Sequence, residues 1–403
     1  MNRLVMHIAL AASVLFSSCL CLTSCSDALP APDEKLKGNT VIVYMGAENS
    51  LASYSQADLN EMKAALGDIP ADCQVVVYRD AELRPTIFHL TGKKFDTWYE
   101  YKEDHNSADM ATVREVLRKI VGGFPSERYS LVMWSHGTGW VDEEYAKQRS
   151  IIVDNGNNSM SNQGSWLNVS QLAEVLEALP HMDYIFFDAC FMQSVEVASH
   201  LYPYADYIIG SPTEIPANGA PYHLIMKALC QSDIQGILDG YASGYTGNQG
   251  VLLSALYSAE FRGFCASTSA FIPQAFPREG MPSVDNVQIY APAYGINNAE
   301  LQSNMPVPYD IRSAMHSLLD AGAYAAWDAQ WQKTFPYTVK SRAWASIYSS
   351  LRYGNAHCTL TDPEHYGGIS MNIPQELYRY RGWDAQFRLS PWYTFTLWEQ
   401  TGW

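Results

Sequence analysis

The chain has 403 residues and a formal net charge of −16, from 42 acidic against 26 basic residues. No basic stripe is present to neutralise phosphates, so nucleic acid is excluded as a partner; an acidic surface suits solubility and basic peptides instead. The histidines other than His136 show no metal-ligand spacing, which argues against a zinc site.

The N-terminus has Arg3, an apolar stretch Leu4–Phe16 and then Leu22-Thr23-Ser24-Cys25, which together read as an export signal too short to stay in a membrane. The Leu-Thr-Ser-Cys ending resembles a bacterial lipobox. That resemblance implies removal of residues 1–24, lipid on Cys25, and a lipid-anchored location in the cell envelope. Losing Arg3 takes the net charge from −16 to −17. Residues 25–39 are polar, with prolines and glycine among charges, and read as a tether. About 380 mature residues can bury one large core or two domains. The expectation is a monomer with a main domain over 40–260 and a C-terminal extension over 261–403.

Chain order then gives strand Thr40–Met45, helix Gln56–Leu66, strands Gln74–Tyr78 and Pro85–His89, helix Ala108–Val121 and strands Ser130–Trp134 and Ser150–Val153. Helix Val169–Leu179, strand Tyr184–Asp188, helix Ser194–Leu201 and strand Tyr207–Ile209 follow. Such alternation predicts an α/β fold with a mostly parallel sheet between two helical layers. Beyond Pro221 the periodicity predicts helices Tyr222–Cys230, Ile234–Ser243, Ala259–Ser267 and Pro308–Ala325, with a proline-rich loop at Phe271–Pro282. Gly368–Pro374 alternates with period two and is expected to return to the sheet as a late strand. Trp327, Trp331, Trp344, Trp383, Trp392, Trp398 and Trp403 read as packing of this extension, with a sugar-stacking face as the alternative.

Of eight cysteines, Cys19 and Cys21 fall in the signal and Cys25 at its lipidated end, leaving Cys73, Cys190, Cys230, Cys265 and Cys358. Five is odd, and no pair has CxxC spacing, so at least one free thiol needs a reason. Cys190 stands apart because it ends the apolar run Tyr184-Ile185-Phe186-Phe187-Asp188-Ala189 beside a carboxylate. A second run, Leu131-Val132-Met133-Trp134-Ser135, ends on His136-Gly137. Carboxyl ends of parallel strands line the ligand crevice of an open α/β sheet, so these two residues can meet there. A thiol needs a base to become nucleophilic near neutral pH, and imidazole supplies it and later protonates the leaving amine. Gly137 admits close backbone approach, so its N–H and that of Cys190 are the candidate oxyanion donors. Asp188, two residues before Cys190, faces the same crevice if the strand persists. Its charge opposes thiolate formation, which makes it a better receptor for a cationic substrate side chain than an activator.

The strings His136-Gly137-Thr138-Gly139-Trp140, Asp188-Ala189-Cys190-Phe191-Met192 and Val195-Glu196-Val197-Ala198 resemble the clostripain family of cysteine peptidases, in the clan of caspases, legumain and gingipains. Ala205–Ser211 and Asn218-Gly219-Ala220-Pro221-Tyr222 add to the likeness, which is dense over residues 40–225 and looser over Gly367–Pro374. The resemblance implies a caspase-like α/β/α sandwich with a helical, aromatic-rich C-terminal extension. It also implies catalysis by His136 and Cys190, peptide or protein substrates cut after arginine or lysine, and Asp188 in the specificity pocket. One departure is Asn218, where basic-specific relatives often carry an acid; Glu214 is the nearby candidate to compensate. Relatives also cut themselves between the catalytic histidine and cysteine, and the bonds after Lys147 and Arg149 are the candidates here. No cofactor is expected, with calcium, which the founding member uses, as the alternative the resemblance leaves open; no Asp-x-Asp-x-Asp loop supports it in this chain. The reading from another class is a catalytically idle surface lipoprotein that holds a peptide or glycan in the same fold.

Overall fold

Val41-Ile42-Val43-Tyr44-Met45 has no polar face, so a strand built from it must be covered on both sides. The computed structural model describes residues 36–81, 84–141, 150–156, 164–246, 250–290, 306–340, 347–349, 356–358 and 364–403, and in it every one of these five side chains is fully buried. Cys25 and most of the tether lie outside the described residues.

The strands in chain order are β1 (Lys37–Gly46), β2 (Cys73–Asp80), β3 (Thr86–Thr91), β4 (Lys94–Glu100), β5 (Ser126–Trp134), β6 (Ile151–Asp154), β7 (Ser165–Leu167), β8 (Met182–Asp188), β9 (Ala205–Gly210) and β10 (Leu252–Tyr257). They continue with β11 (Pro308–Asp310), β12 (Tyr337–Lys340), β13 (Ile347–Ser349), β14 (Ala356–Cys358) and β15 (Ser370–Asn372). Nine strands form the central sheet in the order β12-β10-β9-β8-β5-β1-β2-β3-β4. The inner run from β9 to β2 is parallel, and both edges are antiparallel.

The principal helices are α1 (Ala52–Ala64), α2 (Met110–Gly123), α3 (Val169–Leu176), α4 (Val195–Leu201), α5 (Tyr222–Gln231), α6 (Ile234–Ser243) and α7 (Ser258–Ser269). Alternation along β1 assigns them to layers. Ile42 and Tyr44 pack with Val113, Val116, Leu117 and Ile120 of α2 and with α3, α4 and α7. Val41, Val43 and Met45 pack with Leu59 and Met62 of α1 and with α5 and α6. The buried α2 positions recur at helical spacing behind an Asp109 cap that accepts from Ala111 N and Thr112 N. The result is the expected α/β/α sandwich.

The C-terminal part differs from expectation in three respects. The predicted helix Pro308–Ala325 divides: β11 comes first, then Ile311–Leu318, then a second helix Ala321–Thr334. Asp310 and Asp320 each cap the start of one by accepting backbone N–H groups. The late strand β15 forms, but it pairs with β11 and bridges Ser194, while β12 takes the sheet edge. The boundary at 260 falls inside α7. A single apolar core runs from Ile42 and Leu131 to Trp327, Trp392 and Trp403, so the later residues complete one layer of the same body. Trp327, Trp383, Trp392 and Trp398 are fully buried, so they pack the interior and offer no face for sugar stacking.

Candidate active site

From β1 the chain first adds β2 on one side, then β5, β8 and β9 on the other. The reversal between β1 and β5 opens a crevice at their carboxyl ends. β5 and β8 run in register with Trp134 opposite Asp188. His136 and Cys190 therefore each lie two residues beyond a paired position, on adjoining strand ends. A Cβ added to Gly137 would lie 2.5 Å from the Cys190 carbonyl oxygen, so glycine is what lets these two loops touch.

Neighbouring segments hold the histidine in place. Ser135 Oγ donates to Gly46 O at 2.6 Å, tying the end of β5 to β1. Ile152 N donates to His136 O at 3.1 Å and Thr138 N to Ser150 O at 2.8 Å. These two bonds flank the bridge between Gly137 and Ile151 and leave the Gly137 N–H out of that ladder. Ser50, in the loop after β1, places Oγ 2.8 Å from His136 Nε2. No sequence motif marked Ser50; its only signal was a small polar residue just past a buried strand. The loop around it is shaped by Asn49, whose side chain donates to Gly46 O and Val153 O and accepts from Leu51 N.

β8 ends at Asp188, so the period-two argument stops there, and Cys190 is reached through a turn. Phe191 adopts φ +60, uncommon for a non-glycine residue, and its N–H donates to Thr213 O at 3.0 Å. Ile215 N lies 3.4 Å from Cys190 Sγ as a donor. Burial pushes the thiol up to about 12; Glu214 adds to the rise, the Ile215 N–H offsets part of it, and Asp188 adds a smaller rise. Burial also lowers His136 to about 4. The resting pair is therefore neutral thiol and neutral imidazole.

Asp188 is buried beneath the turn that contains Asn218. Its Oδ2 accepts from Ala220 N at 3.0 Å and Tyr222 OH at 3.1 Å, and its Oδ1 accepts from Tyr241 OH at 3.4 Å. Burial raises it to about 6 despite these donors. Asn218 is exposed on that turn, whereas Glu214 is buried beside the thiol. A second buried acid, Asp58, accepts from Trp134 Nε1 at 2.7 Å; burial and then Asp188 raise it to about 9. Lys147 and Arg149 lie outside the described residues. Val141 and Ser150, either side of that segment, are joined by a 3.3 Å backbone bond.

A mostly parallel α/β/α sandwich with a cysteine and a histidine on adjoining strand ends defines the caspase-like class of cysteine peptidase folds. Comparison narrows this. The clostripain family model matches residues 43–403, and the chain belongs to that family. Clostripain from Hathewaya histolytica is 24% identical over 219 residues, 47% of this chain and 42% of that protein, so the match spans under half of the curated relative's length. Similar solved structures include a secreted cysteine protease from Bacteroides thetaiotaomicron bound to an irreversible peptide inhibitor. It has 27% identity and a TM-score of 0.76, over 90% of this chain and 99% of that one. An inactive zymogen protease from Parabacteroides distasonis has 25% identity and a TM-score of 0.74, over 90% and 99%.

Proposed function

We propose that this protein is an exported cysteine endopeptidase in which Cys190 is the nucleophile and His136 the general base and acid. The observation that supports the reading is the close approach of Gly137 to the Cys190 carbonyl between neighbouring parallel strands, which brings together the two backbone segments that carry the pair. Both groups rest neutral, so the nucleophile forms during attack. Sγ bonds to the scissile carbonyl carbon as the thiol proton passes to His136, and the N–H groups of Gly137 and Cys190 receive the oxyanion. The imidazolium then protonates the leaving amine as the C–N bond breaks, leaving a thioester. Water, deprotonated by His136, attacks the thioester; a carboxylic acid leaves and the thiol is restored.

The substrate is a peptide or protein chain with arginine or lysine before the cut. Asp188 lies buried among Tyr222, Tyr241 and Tyr245 with no cation partner among the described residues, which supports a cationic side chain there. Asn218 supplies no charge, so preference rests on Asp188. Export agrees with the secreted relative from Bacteroides thetaiotaomicron. Lipid on Cys25 anchors the mature chain, and the bonds after Lys147 or Arg149 are the candidate sites of self-cleavage. No described helix is long and apolar enough to cross a membrane.

The test is hydrolysis of fluorogenic arginyl and lysyl peptides by the wild type and by Cys190→Ala and His136→Ala. Both variants should fold and lose activity. Turnover persisting in Cys190→Ala overturns the assignment, and a folded wild type inert to a broad peptide library favours an idle binding protein.

A further inference from the structure

A cavity of about 320 Å³, its open mouth included, lies between the two active-site loops and the β11–β15 pair. Thr138 and Trp140, just past Gly137, line it together with Phe191, just past Cys190, Glu196 of α4 and Asn372 of β15. Glu196 is fully buried and Asn372 is 2% exposed. Asn372 N donates to Glu196 Oε1 at 2.8 Å, which joins β15 to α4. The remaining polar side-chain atoms of this group, Glu196 Oε2, Asn372 Oδ1, Asn372 Nδ2 and Thr138 Oγ1, are buried and have no hydrogen-bond partner.

Each buried polar atom left unmet costs free energy, so the arrangement fits an occupant that supplies the missing partners. No lysine, arginine or histidine lines the cavity, and among the described residues no cation acts on Glu196. Burial raises Glu196 to about 7, with the Asn372 N–H offsetting part of the rise, so an arriving cation finds an acid ready to ionise. Glu196 Oε2, Asn372 Oδ1 and Thr138 Oγ1 are oxygens that can accept the N–H groups of one ammonium. Trp140, Phe191 and Val307 supply apolar wall for a methylene stem, and Asn372 Nδ2 remains to meet a peptide carbonyl.

Asp188 bonds to tyrosines of the α5–α6 layer, whereas α4 belongs to the layer on the other face of the sheet. The cavity and Asp188 therefore flank Cys190 from opposite sides. A peptide whose basic residue before the cut sits at Asp188 would continue past the dyad along Thr138 and Phe191. We propose that the cavity is a subsite for a lysine just after the cut, its ammonium held by Glu196, Asn372 and Thr138. The proposal rests on the peptidase reading of His136 and Cys190 and adds a second point of substrate selection, on the side of the leaving amine.

The experiment uses the mature chain and internally quenched peptides that share one arginine before the cut and carry lysine or norleucine at the first, second or third residue after it, with the bond cut confirmed by mass spectrometry. Norleucine keeps the stem and removes the charge. At one of these positions lysine should raise kcat/KM about 10-fold over norleucine. In Glu196→Gln that ratio should fall to near one, and Asn372→Ala, whose side chain bonds nothing in the protein, should lower it roughly threefold. The ratio compares two peptides on one enzyme, so a general loss of activity does not move it. Equal rates for lysine and norleucine at all three positions overturn the subsite and leave the cavity to water. A lysine preference kept intact by Glu196→Gln, or by Asn372→Ala where the first variant does not fold, overturns it too, by placing the selection elsewhere. Arginyl coumarylamide, which has no residue after the cut, separates the two failures: a chain that leaves it and every peptide uncut defeats the peptidase reading, and the subsite with it.

Discussion

Ser50 Oγ lies 2.8 Å from His136 Nε2, across the reversal between β1 and β5. A neutral imidazole that donates through Nε2 has its lone pair on Nδ1, which is then the nitrogen able to take the thiol proton. Ser50 thus acts as a positioning residue that fixes the plane of the ring, and when its hydroxyl accepts from Nε2 it leaves Nδ1 for the thiol proton. Ser50→Ala should lower kcat about 10-fold, the equivalent of one hydrogen bond of about 1.4 kcal/mol, with KM little changed. The acid limb of the pH profile should move as well, and Ser50→Thr should recover much of the rate. An Ala variant with wild-type kcat and pH profile would show that His136 is oriented by other contacts.

Glu214 is the largest charge acting on Cys190, and it adds to the rise that burial imposes on the thiol. Removing that charge lowers the thiol pKa, so Glu214→Gln should alkylate faster with iodoacetamide at pH 7 to 8, by roughly 3- to 10-fold. The wild type should react sluggishly at neutral pH and faster as pH rises. Equal rates in the two proteins across this range would place Glu214 too far from the sulfur to matter.

The strands that carry the site were legible because each is an apolar run with one polar terminus, and burial on both faces leaves no other arrangement for them. Leu131–Trp134 and Tyr184–Phe187 are cases in point, and the positions of His136 and Cys190 followed from strand ends alone. Lys94–Glu100 escaped notice because it is an edge strand, mostly solvated, with charges where a buried strand would have none. Leu319 and Asp320 break an apolar periodicity that looks continuous from Pro308, since a cap there is decided by one side chain. Ser50, the tyrosines around Asp188 and the Glu196–Asn372 cavity depend on residues far apart in sequence. No local pattern reports them.

Asp188 is the proposed specificity residue. An amide in its place still accepts from Ala220 N and one tyrosine, but it cannot offer a carboxylate to guanidinium or ammonium. Asp188→Asn should cut kcat/KM for arginyl and lysyl substrates by about 100-fold, a loss of about 2.7 kcal/mol, and change neutral substrates far less. Asn218→Asp, on the exposed turn above, should raise affinity for basic substrates modestly. A library profile that is unchanged in Asp188→Asn moves the specificity residue elsewhere, with Glu214 next to test.

Gly137 offers a test of geometry alone. A methyl group there would meet the Cys190 carbonyl at 2.5 Å and the Ala189 and Met192 side chains at 3.1 Å, so the two loops must part. Gly137→Ala should lose at least about 10-fold in kcat while the sheet, which does not involve this contact, keeps its thermal midpoint within a few degrees. Wild-type turnover in this variant would mean that the oxyanion donors lie elsewhere.

Asp58 links burial to pH. Its folded pKa of about 9 exceeds the ordinary 3.8, so the native state holds this proton more tightly than the unfolded chain does. Stability from that proton is complete below about pH 4 and is lost steadily as pH rises toward 9. Asp58→Asn keeps an oxygen to accept from Trp134 Nε1 and has no proton to lose. The variant should therefore gain on the wild type as pH increases, by up to about 4 kcal/mol between pH 5 and 8 at about 1.36 kcal/mol per unit. Chemical denaturation of both proteins at those two values measures it. A stability difference that stays constant with pH would mean that Asp58 is ionised in the native state, its charge met by the indole N–H and by water.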